Sequence, residues 1–586
     1  MSSFNKYYQD ELAFLREMGR EFARAYPAMA PFLADRGSDP DVERLLEGVA
    51  FLTGRIREKL DDEFPEVVHA LMTLLWPHYL RPIPSMSMVE FTPISGAVRE
   101  RQRIARGTEV ASLPVDGTPC RFRTAFDLDL YPLTIEGAGI EILPEGRATL
   151  RLRFHLSPGI MLAQIGLESL RLHLFGEAAY PLYLLLCRHV AEIRVRSIVQ
   201  GKGGQQTLLP PDRIEASGLE SDEALLPYPK SSFEGYRLLQ EYFTFPEKFL
   251  FVTLTGLGPW AAAAKGEAFE VDVLFGRSPA ASLRVSRENV RLYCVPVVNL
   301  FAAESDPIRV THERVDYPIR PALFQPSHAE VYSVDRAVGW RRGSAEEETF
   351  PSFFSFDHPL GPEGRRATYY QTRLRKAVVG EGTELHASFV NGEQSTVVPP
   401  TETVVFHLTC THRALPEKLR VGDIQVPTDR SPQFVRFRNI SKVSPTVRPP
   451  LDGDLYWRLL SHLSANQSSL SGAASLREIL ELYNFPSLYD KEAGRVNERR
   501  LEGIVDLQSH PEDLLFRGVP VRGVATTLTM REDHFAGEGD LFLFATVLNE
   551  FLSLYVSLNA FSRLTVREQQ GEVYRWAPRI GRQAIL

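Results

Sequence analysis

The apolar residues of this chain change their spacing twice, and that change limits its fold more than any other feature. Phe4, Tyr8, Leu12, Leu15, Met18, Phe22 and Tyr26 step by three or four, the stripe of an amphipathic helix. Pro27 and Pro31 close it. Asp39-Pro40 opens a second helix with a cap and a first-turn proline, carrying Val42, Leu45, Leu46, Val49, Thr53, Ile56 and Leu60. A third, from about Pro65 to Trp76, is apolar almost all round. It is too short to cross a bilayer, so it belongs inside protein. From about Met86 the period drops to two. Ala148, Leu150, Leu152, Phe154 and Leu156 alternate with Arg147, Thr149, Arg151, Arg153 and His155, as in a half-buried strand. Further strands are predicted at Leu170 to Leu174, around Ile193 and Val195, and at Phe249 to Leu254, Glu270 to Phe275, Val290 to Val297 and Val404 to Cys410. Helices return after Leu451, the clearest at Asp540 to Leu558, with Leu541, Phe544, Leu548, Phe551, Leu552 and Tyr555 on one face.

This pattern predicts a multidomain α+β chain. Helices lie at the N-terminus, a long antiparallel β-rich middle of sandwich-like modules follows, and helices plus strands close the C-terminus. The expected divisions are 1–82 (helical), 83–205 (β-rich), 206–345 (β-rich), 346–450 (β) and 451–586 (α+β). No internal repeat has a fixed period.

The stretch Ser444 to Leu470 combines both styles. Pro445, Pro449 and Pro450 lead to a turn at Asp452-Gly453-Asp454, and Asp454 is placed to cap a helix. Leu455, Tyr456, Leu459, Leu460 and Leu463 form its apolar face. Ser461, Ser464, Asn466, Gln467, Ser468 and Ser469 then compete for backbone hydrogen bonds. Either this second half packs against another polar surface or the helix frays after Leu463; spacing leaves both open.

At 586 residues with net charge −8, the chain lacks the basic footprint of a nucleic-acid binder. Cys120, Cys187, Cys294 and Cys410 lie far apart, with no metal-ligand spacing, which suits a reducing cytosol. The N-terminus has no signal-peptide core, and no run of about 18 apolar residues spans a membrane. Catalytic motifs are missing: there is no GxGxxG, GxSxG or HExxH. Gly201-Lys202-Gly203-Gly204 lacks the rest of a phosphate loop and reads as a hairpin tip. Asp127-Leu128-Asp129 puts two carboxylates on one side of a strand, where an exposed face explains them as well as acid–base chemistry. Asp61-Asp62-Glu63 and Glu346-Glu347-Glu348 read as solvated charge. Arg458, His462 and Asn466 form a polar stripe, but the adjacent Ser461 points elsewhere. No catalytic, cofactor-binding or metal-binding residue is therefore assigned. A hydrolase with dispersed acids and a β-sandwich ligand-binding module remain as alternatives; the second needs an exposed cluster of Trp and Tyr.

Several segments, taken in order, resemble one family. They are Tyr7-Tyr8-Gln9-Asp10-Glu11-Leu12; Phe64-Pro65-Glu66 through Trp76-Pro77-His78-Tyr79; IARGT at 104–108; and CRFRT at 120–124. LPYP at 226–229 leads into FEGYRLLQEYF at 233–243 and FPEKF at 245–249. VVNLF at 297–301, the Ser444 to Leu470 stretch, Arg522-Gly523-Val524 and FLSLYVSLNAF at 551–561 complete the set. Together they resemble TssF (VasA/ImpG), the baseplate subunit of the bacterial type VI secretion system. The resemblance implies a structural protein without catalysis, cofactor or metal. It implies a wedge built with TssG and a second TssF copy as a homodimer, arranged around the VgrG spike and linked to TssK and TssE. It also implies a cytoplasmic baseplate docked at the inner-membrane complex, which couples baseplate rearrangement to sheath contraction, with no nucleic acid and no membrane insertion. On this reading Phe4, Leu15, Phe22 and Trp76, with Leu459, Leu463, Phe544 and Phe551, are expected in bundle cores, some within the chain and some between chains.

Overall fold

In the computed structural model the described residues are 3–27, 40–61, 72–74, 76–143, 147–229, 232–311, 314–340, 347–354, 368–376, 383–390, 403–448, 472–516, 518–558, 560–569 and 571–581. The helix expected from Asp454, with Leu459, His462 and Leu463, lies outside them, as do most of the third helix and the acidic runs at 62–63 and 346. The chain forms two compact units, one of residues 1–76 with 450–460, the other of 77–449 with 461–586.

The first unit contains α1 (Ser3–Ala25) and α2 (Pro40–Asp61). They pack along one another through small residues: Ala23 and Ala50 are buried, and Gly54 and part-buried Gly19 lie on the same faces. Residues without long side chains let the two backbones approach closely. An ion pair from Arg16 to Glu43 ties the helices together.

The second unit is built of antiparallel sheets with helices laid among them. One sheet has six strands in the spatial order Ile424–Val426, Glu109–Val115, Thr118–Thr124, Cys294–Val298, Met86–Pro93 and Val435–Asn439. Its two outer strands meet at one end. The buried Asn439 side chain accepts from the N–H groups of Gly422 and Ile424, both at 2.9 Å. Cys294–Val298 and the first half of Met86–Pro93 are buried on both faces, which suits strands placed inside the sheet.

A five-stranded sheet follows, in the order Lys202–Leu209, Val190–Val199, Ala268–Phe275, Ala148–Leu156 and Leu133–Ile142. The alternation at 148–156 is seen directly: Leu150, Leu152 and Phe154 are buried, and their arginine neighbours form cross-strand ion pairs such as Arg151–Asp272 at 2.8 Å. The glycine-rich tip is a two-residue turn at Gln200-Gly201 (φ 50° and 75°), with Lys202 paired to Val199. The described residues between 301 and 411 fold as a sandwich-like module. Two small sheets enclose Phe301, Tyr317, Ile319, Phe350, Phe389, Phe406 and Leu408.

Among the described residues, the helices of this unit are α3 (Ala179–Arg188), α4 (Glu234–Thr244), α5 (Gly258–Ala263), α6 (Ala473–Leu482), α7 (Lys491–Glu502) and α8 (Glu538–Leu554). The apolar face predicted for α8 understates it: every residue from Gly539 to Ser553 is buried. It packs on α3 and α4 and against the strand Phe561–Glu568, which runs parallel to Val519–Met530. Helices at both ends of a β-rich middle make the chain α+β, as the periods predict.

Candidate interaction surface

The family-like segment at 233–249 forms a buried polar centre. All of α4 from Gly235 to Phe243 is buried, including Arg237, Gln240 and Glu241. Glu241 accepts from the N–H groups of Leu225 and Leu226 (2.9 and 3.0 Å) and from Lys248 Nζ, with Arg237 Nη1 3.8 Å away. Burial pulls the Glu241 carboxyl up, but Lys248 and Arg237 overcome this and hold it below its usual range. Burial lowers the Lys248 ammonium. Three charges lie deep in one place, and Glu241 answers both cations and two backbone N–H groups, with Arg237 Nη1 making no hydrogen bond among the described residues. They fix the 224–226 loop to α4.

Aromatic rings close the same core. Phe551 lies 5.1 Å from Tyr555, Phe544 lies 5.5 Å from Tyr242, and Tyr236 stacks on Tyr483 at 4.8 Å. Both Phe544 and Phe551 are wholly buried in this chain. At the start of α8, Asp540 pairs with Arg500 at 2.9 Å, and both are buried.

Elsewhere the acids are satisfied. Asp127 accepts from the Arg106 N–H at 2.7 Å and pairs with Arg103, and these bonds hold its carboxyl low. Asp129 pairs with Arg101 at 2.8 Å. Both line a cavity of about 110 Å³ with Arg171 and Tyr131, but each carboxylate already faces a guanidinium and is poorly placed as a base. His189, Glu538 and Glu572 bring one donor atom each within 4.8 Å; Arg277 donates to both glutamates, at 2.7 and 3.0 Å. Burial pushes the Cys120, Cys187 and Cys410 thiols up to about 12, far from a reactive thiolate. Among the described residues no tryptophan is exposed, so the Trp and Tyr platform of a carbohydrate module is not found there.

The unusual surface is in the first unit. Phe14, Met18, Phe22 and Tyr26 recur every four residues along α1 and are 57%, 48%, 48% and 57% exposed. Leu45, Val49, Phe51 and Leu52 of α2 are exposed as well, Leu45 by 70%. The Phe22 and Tyr26 rings lie 4.7 Å apart, tilted by 34°. The stripe read from sequence is thus split: Leu15 is part-buried, Phe22 is open, Phe4 lies in the first turns of α1, and Trp76 is buried. These exposed apolar rows on α1 and α2 are of the kind that interaction surfaces present. Periodicity alone could not tell which half of the stripe the chain itself covers.

A family model described as type VI secretion system, TssF, matches residues 1–583. The chain belongs to the TssF family. The type VI secretion system component TssF1 of Pseudomonas aeruginosa is 32% identical over 629 aligned positions that cover 99% of each chain. A chain in the cryo-electron microscopy structure of the type VI secretion TssK-TssF-TssG baseplate subcomplex is similar at 34% identity and a TM-score of 0.75, covering 92% of this chain and 99% of that one. A chain of the baseplate complex from the type VI secretion system is similar at 29% identity and a TM-score of 0.62, covering 99% and 100%.

Proposed function

We propose that this TssF-family chain is a structural subunit of a type VI secretion baseplate wedge. It assembles with TssG, TssK, TssE and a second copy of itself around the VgrG spike, and couples baseplate rearrangement to sheath contraction. It acts in the cytoplasm, at a baseplate docked on the inner-membrane complex, and catalyses nothing. The observation that carries this reading is full-length likeness to a chain of the solved TssK-TssF-TssG subcomplex. The open apolar face of α1 and α2 supports it, because obligate interfaces resemble a core cut in half. Among the described residues no helix is long and apolar enough to cross a membrane.

Co-expression with the cognate TssG, followed by sizing, tests the reading. The wild-type chain is expected to co-elute with TssG. The variant Phe14→Ser/Met18→Ser/Phe22→Ser is expected to keep its melting temperature and lose most of that co-elution. A stable monomer that ignores TssG overturns the proposal.

A further inference from the structure

Charge is distributed unevenly over the second unit. Between Arg413 and Arg448 the sequence holds eight arginines and lysines against three acids, in a chain whose net charge is −8. Much of that excess gathers on one wall of the six-stranded sheet. In the strand Val435–Asn439 the alternation is strict: Val435, Phe437 and Asn439 are buried, while Arg436 and Arg438 are exposed. Successive outward residues of a strand stand about 7 Å apart.

The buried Asn439 gathers further cations beside them. Its Nδ2 donates to the Arg420 carbonyl at 3.1 Å and to the Ser441 carbonyl at 3.0 Å, so exposed Arg420 and Lys442 flank the same strand end. The neighbouring strand offers one acid, Glu90. It is shared by Arg291 at 3.1 Å and Arg438 at 3.6 Å, one carboxylate for two guanidiniums. The side chains of Arg420, Arg436 and Lys442 have no carboxylate within ion-pair distance among the described residues, although Asp423 accepts from the Arg420 backbone N–H at 2.8 Å.

Solvated surface charge is usually mixed in sign, and like charges held close on a rigid strand repel. We propose that this wall docks an acidic surface of a neighbouring baseplate protein, which supplies the missing carboxylates. The inference rests on the baseplate reading above. Three features favour a protein partner. The wall is a flat strand face, not a pocket for a small anion. The outward positions beside the arginines are Thr92 and Gln425, with no aromatic residue to enter lipid. Arg436 and Arg438 are fixed by strand pairing, and Asn439 holds the chain at Arg420 and beside Lys442, which suits a partner whose acids are equally fixed.

The test is Arg420→Glu/Arg436→Glu/Lys442→Glu, made in the full chain and co-expressed with the cognate baseplate subunits, with a tag on TssG. Among the described residues none of the three side chains carries a hydrogen bond, so the melting temperature is expected to stay unchanged. At least one co-expressed subunit is expected to fall about tenfold in yield in the tagged assembly. The wild-type assembly is expected to lose the same subunit between 0.1 and 0.5 M salt, since screening shortens with ionic strength. Wild-type yield of every subunit with the variant overturns the inference. So does an unchanged assembly with lost binding to phosphatidylserine vesicles, which would make the wall a lipid-facing one. If the wild-type chain itself fails to assemble with TssG, the baseplate reading falls and this inference with it.

Discussion

Glu241 shows what one buried carboxylate does here. It neutralises Lys248, faces Arg237 and accepts two backbone N–H groups. Glu241→Gln removes the main counter-charge of two buried cations, so it should destabilise by about 3–5 kcal/mol, read as a drop in the denaturation midpoint. Glu247, six residues on, behaves oppositely. Burial pushes its carboxyl up to about 7, from an ordinary value of 4.5. The folded state therefore binds this proton more tightly than the unfolded state does. Stability from this group is present below about pH 4.5 and is lost as pH rises through about 7. Glu247→Gln should raise stability at pH 8 by up to about 3 kcal/mol and change little at pH 4. Chemical denaturation at the two pH values checks this, and an equal effect at both would sink it.

At the scale of elements, close approach decides where helices stop and start. Gly539 in the first turn of α8 lies against α3: a Cβ there would fall inside contact distance of the Tyr180 carbonyl. Backbone cannot yield as a side-chain tip can. Gly539→Ala should therefore cost about 2 kcal/mol or more, visible as a lower thermal midpoint. The sequence placed the start of this helix within two residues, because Asp540 and the leucine spacing announce it. It did not reveal that α8 is buried on all sides, since Asp540, Asn549 and Glu550 look like a solvated face. Asp540 is dry because Arg500 reaches it, and Arg500 lies forty residues earlier in the chain. The strand at 290–297 shows the same limit. It is two strands, Val290–Leu292 and Cys294–Val298, in different sheets, separated by Tyr293 at a φ of 56°. The apolar run continues across the break, from Leu292 to Val298, so spacing alone reads it as one.

For the whole molecule, the open face of α1 and α2 has a consequence before any partner is added. Eight large apolar side chains left in water favour self-association. Replacing Phe22 and Leu52 with Asp should lower the scattering mass of the isolated chain toward that of one copy, by light scattering, without lowering its thermal midpoint. A lost midpoint would mean that these residues support the helical pair itself.

The sequence by itself determined the alternation of helical and strand periods, the α+β class, the missing reagent motifs and the family, because these depend on local spacing and on ordered short segments. Tertiary structure alone decided which strands pair, that Phe544 and Phe551 close a core within this chain, and that half of the α1 stripe stays open. Those outcomes depend on which distant surfaces arrive to remove water from each apolar row, and on which distant charge cancels each buried one. Spacing along the chain carries neither.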